Sequence, residues 1–111
     1  MEMLQLKLTA EKLESKSRLI MGKRGTVLET VINTCYYDQL KDTGLVDSAN
    51  VFNVQHVIWN GVDFRPQLFV TTALQKVGSH PKFARIESIY VGEDQNPASL
   101  YLIIRVEDNL L

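Results

Sequence analysis

The side chains able to do chemistry in this chain of 111 residues are one cysteine, Cys35, two histidines, His56 and His80, and scattered carboxylates. Covalent or acid–base catalysis needs a nucleophile, a base and an orienting group brought into one pocket. A tetrahedral zinc site needs four Cys or His ligands, usually at short paired spacings. The histidines stand 24 residues apart and the cysteine is alone, so neither pattern is present. Gly22-Lys23-Arg24-Gly25 lacks the phosphate-loop spacing as well. The expectation is a chain that is not an enzyme and takes no metal or cofactor. Cys35, beside Tyr36, reads as a small buried hydrophobe, His56 as a solvated residue on the polar side of a strand, and His80, between Ser79 and Pro81, as part of a loop.

Two other groups of residues suit binding. Lys12, Lys16, Arg18, Lys23 and Arg24 face only Glu14 between residues 12 and 24, whereas the chain from residue 25 onward carries six basic and ten acidic residues. A net charge of −1 argues against a surface built throughout for nucleic acid or anionic lipid, so any nucleic-acid or anion contact belongs to those five cations. A solvated loop is the plainer reading of the same run. Among the aromatic residues, Tyr90 and Tyr101 are the candidate peptide contacts, able to face each other across a hairpin, although a cross-strand packing pair would look the same. Trp59 and Phe64 are assigned to the core. A third route needs no special residues: an edge near Arg65-Pro66, or a strand over Leu4 to Leu8, could pair with a partner or a second copy.

The element that positions most of these groups is written in Val57-Ile58-Trp59-Asn60-Gly61-Val62-Asp63-Phe64. Asn-Gly supplies the two positive φ angles of a type I′ turn, whose twist matches that of the strands it joins. Trp59 then lies opposite Val62, Ile58 opposite Asp63, Val57 opposite Phe64 and His56 opposite Arg65. Trp59, Val62, Val57 and Phe64 cover a core, while His56, Asp63 and Arg65 share the other face with Ile58.

The remaining chain reads as short strands and turns. Leu4, Leu6 and Leu8 alternate as in a strand, though a helix over residues 3–9 stays open. Residues 10–25 read as a polar, basic loop. Thr26 and Glu29 have the spacing of a capping box and Val27, Leu28, Val31, Ile32 and Cys35 recur at helical intervals, while the β-branched content favours a strand; helix or strand stays open for 26–40. Asp38 to Asn53 reads as a turn-rich connection, with the sheet beginning after it. Arg65-Pro66 marks an edge or a bend, Leu68 to Leu74 resumes the strand, and Phe83 to Val91 and Leu100 to Val106 form a second hairpin with Leu100, Leu102, Ile104 and Val106 on one face.

The fold expected is mainly β, or α+β if the helix forms: a small antiparallel barrel or sandwich of about five to seven short strands with at most one helix within 26–40. One domain spans 1–111, with a strand and basic loop in 1–25 and the antiparallel core in 54–107. A lone cysteine and the lack of a long apolar run point to the cytosol or nucleus, with no membrane.

From Val57 to about Val106 the order of features resembles the barrel core of bromo-adjacent-homology domains, chromatin-associated modules on a Src-homology-like barrel. The likeness is carried by Phe83-Ala84-Arg85-Ile86-Glu87-Ser88-Ile89-Tyr90 with the acidic loop Gly92-Glu93-Asp94, and by Asn60-Gly61-x-x-Phe64 leading to Leu68-Phe69-Val70. The chain departs from that pattern at Pro66-Gln67, where the family carries a glycine and an acidic residue. The resemblance implies a non-catalytic module that binds a protein or peptide partner, with a chromatin association. Nucleic-acid binding through 12–24 and self-association by edge pairing are the alternatives.

Overall fold

Asn60 and Gly61 both adopt positive φ, 51° and 78°, and the chain reverses there between two of its strands. The computed structural model describes residues 2–6, 19–71, 83–96 and 99–107, and the described residues form nine strands. These are β1 (Glu2–Leu6), β2 (Leu19–Met21), β3 (Val27–Thr30), β4 (Asn50–Val54), β5 (Val57–Trp59), β6 (Val62–Phe64), β7 (Phe69–Thr71), β8 (Phe83–Gly92) and β9 (Leu100–Glu107). They make two antiparallel sheets, one in the order β1-β9-β8-β4-β3 with β7 also on β8, the other in the order β2-β5-β6. The fold is mainly β, as the alternation of apolar residues implies. No helix among the described residues is long and apolar enough to cross a membrane.

The hairpin of β5 and β6 has the expected register, Trp59 to Val62, Ile58 to Asp63 and Val57 to Phe64. Its inner face is less uniform than expected. Val57 is fully buried and Trp59 and Phe64 pack against the core, but Val62, the direct partner of Trp59, is 50% exposed. β6 is an edge of the small sheet, and Arg65-Pro66 ends it. The chain then rejoins the large sheet, where the Gln67 amide donates to the Ile86 carbonyl at 2.7 Å and the Ile86 amide to the Leu68 carbonyl at 2.8 Å.

β8 and β9 form the centre of the large sheet. Ala84, Ile86, Ile89 and Val91 of β8 and Leu100, Leu102 and Ile104 of β9 are buried together on one side, under Leu19, Met21, Trp59 and Phe64 of the small sheet. Ile86 and Ile89 are three residues apart yet share that side, because the pairing slips between Ile86 and Ser88 and leaves Glu87 as an extra residue. Each such aliphatic side chain contributes about 1.5–3 kcal/mol by leaving water.

The other side is covered by residues 31–49. Val31, Leu40, Val51, Tyr90, Tyr101 and Ile103 are buried there, with Tyr36, Tyr37, Leu45 and Ala49 against them. The helical option for 26–40 is realised only as a 3₁₀ turn, Val31–Asn33, and a one-turn helix α1, Tyr37–Lys41. Residues 27–30 are strand: β-branched residues and pairing with β4 outweigh the capping-box spacing, and the Thr26 hydroxyl donates to the Gly22 carbonyl instead of capping a helix. The excursion is tied by Tyr37, whose hydroxyl donates to Asp47 and accepts from Lys41 at 2.9 Å. Those two neighbours, the Tyr37 hydroxyl first and the Asp47 charge second, push the Lys41 ammonium above its ordinary pKa.

Three expectations need correction. The basic loop ends before residue 19, since Leu19-Ile20-Met21 forms β2; so short an apolar run becomes a strand only because β5 pairs with it. The sheet begins before Val54, because Asn50–Val54 is β4 within the run read as a connection. Cys35 is exposed rather than buried: it sits in the turn between the 3₁₀ segment and α1, where Thr34 takes the inward position and its hydroxyl donates to the Val31 carbonyl at 2.7 Å. β1 makes residues 4–6 of the Leu4 to Leu8 reading a strand, and residues 7–9 lie outside the described residues.

Candidate functional site

β3 is the last strand of the large sheet, and among the described residues nothing pairs with its outer side. The register with β4 sets Val27 opposite Asn53, Leu28 opposite Phe52, Glu29 opposite Val51 and Thr30 opposite Asn50. It continues at Val31, whose amide donates to the Ala49 carbonyl at 2.8 Å. Main-chain groups of an antiparallel strand alternate in direction, so Val27, Glu29 and Val31 direct theirs toward β4 while Leu28 and Thr30 direct theirs outward. Val27 is 55% exposed and Leu28 51%, large values for apolar side chains on a sheet. Leu28 shares its face with Phe52, which packs on the core beneath the small sheet.

The chain enters β3 through Gly22-Lys23-Arg24-Gly25, a turn in which the Thr26 amide donates to the Lys23 carbonyl and Gly25 takes φ 76°. Positive φ at the third position is the type II geometry that glycine permits. A side chain at Gly25 would also place its Cβ 2.8 Å from Gln55 Cγ. Lys23 and Arg24 are exposed, and the amides of Lys23, Arg24 and Gly25 donate to no main-chain acceptor among the described residues. An open cavity of about 370 Å³ lies beside this turn, lined by Met21, Gly22, Lys23, Thr26 and Gln95.

The far end of β3 is acidic. Thr30 meets Asn50, and the Asn50 side-chain amide donates to Glu93 at 3.3 Å. Glu29, on the face away from Leu28, has a buried carboxylate oxygen with no partner among the described residues. The edge therefore runs from two cations to two carboxylates over one short strand.

The other candidates fall elsewhere. Lys12, Lys16 and Arg18 lie outside the described residues, as does His80, so only Lys23 and Arg24 of the basic group can be placed. Tyr90 and Tyr101 are brought together as direct partners, but they are 1% and 6% exposed. That burial corrects their assignment as peptide contacts: the rings are core, covered by the excursion over residues 31–49, and Tyr36 meets Tyr90 edge-on at 6.3 Å. Burial pushes the Tyr90 phenol well above its ordinary pKa, with the Glu29, Cys35 and Tyr36 charges adding to the shift, and burial likewise raises that of Tyr101.

His56 does lie on the polar face of its hairpin, with Nε2 2.7 Å from the Asp63 carboxylate, and the Arg65 guanidinium lies 3.5 Å from the same oxygen. That group sits on the outer surface of the small sheet near Ile58 and the half-exposed Ile20. Among the described residues no three His, Cys, Asp or Glu side chains converge as metal ligands would.

No family model, curated protein or solved structure matches this chain. Sequence reasoning named edge pairing as a class and placed edges near Arg65-Pro66 and at Leu4 to Leu8, where β6 and β1 are indeed edges of their sheets; β3, read ambiguously as helix or strand, was missed. The exposed pair Val27-Leu28 beside a basic turn was the available signal.

Proposed function

We propose that this chain is a non-catalytic interaction module that binds a protein partner by accepting an extended segment as an added strand on β3. The observation that carries this reading is the outward main chain of Leu28 and Thr30, bordered by Val27 and Leu28, half-exposed on opposite faces of the sheet. Natural sheets commonly blunt such an edge with charge, proline or a covering element. Here the strand carries one acidic residue, Glu29, and two bare aliphatic ones. Main-chain hydrogen bonds supply affinity in this mode, and side chains on alternate faces supply selectivity. The acid–base pair His56 and Asp63 supports a non-catalytic reading in its own way, since it stands on an open sheet surface next to a competing cation, Arg65.

Amide hydrogen exchange followed by NMR tests this. In the free protein the amides of Leu28 and Thr30 should exchange much faster than those of Val27 and Glu29, and added extended peptides should protect them. Protection confined to any other strand would overturn the reading, as would shifts with short duplex DNA centred on Lys23 and Arg24 and absent with peptide.

A further inference from the structure

We propose that the segment captured on β3 is the free C-terminal end of a partner chain, its terminal carboxylate held at the Gly22–Thr26 turn and its last side chain apolar. This deepens the strand-addition reading and rests on it.

Charge fixes the direction. An added strand could run parallel or antiparallel to β3. A parallel one would bring its N-terminal side toward Lys23 and Arg24, where a free ammonium would meet two like charges, and its C-terminal side toward Glu29 and Glu93. An antiparallel one reverses both contacts. A carboxylate arriving at the turn meets two exposed cations, the three amides of Lys23, Arg24 and Gly25, and the end of the strand that leads there. Successive main-chain amides in a turn form a concavity suited to an anion, and backbone capture of a C-terminal carboxylate is a recurring recognition mode.

Register fixes the side chains. The residues of the added strand opposite Leu28 and Thr30 would exchange hydrogen bonds with them, and the chain would end opposite Thr26, two residues past Leu28. Side chains opposite Leu28 and Thr26 point to the Leu28 face, because directly paired residues share a face. That face carries Phe52 and Met21, both packed on the same buried cluster, and the 370 Å³ cavity that Met21 and Thr26 help to line. The last residue would enter the cavity with Met21 as its apolar wall, and the third from the end would cover Leu28. Both positions should select aliphatic residues.

The test uses the full chain and an equimolar pool of N-acetyl hexapeptides ending in leucine, isoleucine or valine with the other positions randomised, prepared as free acids and as carboxamides. The free-acid pool should protect the Leu28 and Thr30 amides, shift those of Lys23 to Gly25, and bind at least about tenfold tighter than the carboxamides, the usual strength of a charge-assisted contact. K23Q/R24Q, both on exposed side chains and so expected to fold, should reduce that preference severalfold, leaving only the share supplied by the main-chain amides. Equal binding of acid and carboxamide with Leu28 and Thr30 protected would overturn carboxylate capture and leave strand addition standing. No protection with either pool would overturn both. Protection that rises with protein concentration in the absence of peptide would assign the edge to a second copy of this chain and overturn capture of a free end.

Discussion

Tyr90 and Tyr101 are direct cross-strand partners on β8 and β9, and both are buried under the excursion that includes α1 instead of facing solvent. A phenol in that position keeps its proton to a higher pH than it would in the unfolded chain, because burial disfavours the phenolate.

Alkaline destabilisation follows from that pair. Below the ordinary tyrosine value of 10 both states are protonated, so stability is flat with respect to these groups. Above it the unfolded chain releases protons that the folded chain retains, and stability falls, with a slope from Tyr90 approaching about 1.4 kcal/mol per pH unit and a contribution of the same sign from Tyr101. Denaturant unfolding between pH 8 and 11.5 should show this loss, and Tyr90→Phe should make the slope shallower. An unchanged slope in the variant would mean that Tyr90 titrates normally.

Gly61 offers a backbone test free of packing. A Cβ added there meets nothing within 4 Å, so Gly61→Ala changes only the cost of holding φ at 78°. The expected loss is about 1–2 kcal/mol in chemical denaturation, with the hairpin retained. A variant as stable as the parent would show that the turn is not the one described.

The His56, Asp63 and Arg65 group should matter little to stability. All three side chains are partly exposed, and ion pairs in that setting contribute at most about 1 kcal/mol. Asp63→Asn should therefore shift the unfolding midpoint only slightly. A loss above about 2 kcal/mol would assign the group a structural role that its exposure does not suggest.

What could be read from the sequence follows the range of the interactions involved. The β5–β6 register was legible residue by residue, because Asn60-Gly61 fixes it locally and the flanking residues alternate. The β8–β9 pairing was legible from alternation, but the slip at Glu87 was not: nothing in Ile86-Glu87-Ser88-Ile89 shows that two isoleucines three apart share a face. β2 was hidden because three residues carry no period, and they become a strand only through β5. Thr26 to Thr30 gave conflicting local signals, settled by β4, a strand about twenty residues later. The candidate site was opaque for the same reason. Lys23 and Arg24 were visible as charge and Leu28 as an apolar residue, but which strand ends the sheet is a property of topology, and no local pattern encodes it.

Proline substitution tests the edge most directly. Proline removes one amide donor, so its cost in a strand depends on where that amide points. The Leu28 amide is directed away from β4, whereas the Glu29 amide faces β4 within the ladder. Glu29→Pro should cost roughly 3 kcal/mol or more and disturb β4. Leu28→Pro deletes only an outward donor and requires an extended residue before it, a conformation Val27 already has. It should retain the fold and be at least about 2 kcal/mol more stable than Glu29→Pro by denaturant unfolding. Because that same donor is one an added strand would use, Leu28→Pro should also abolish peptide protection of the Thr30 amide. If the two proline variants proved equally damaging, β3 would not be an open edge of the sheet. If Leu28→Pro folded and bound peptide as the parent does, the added strand would lie elsewhere.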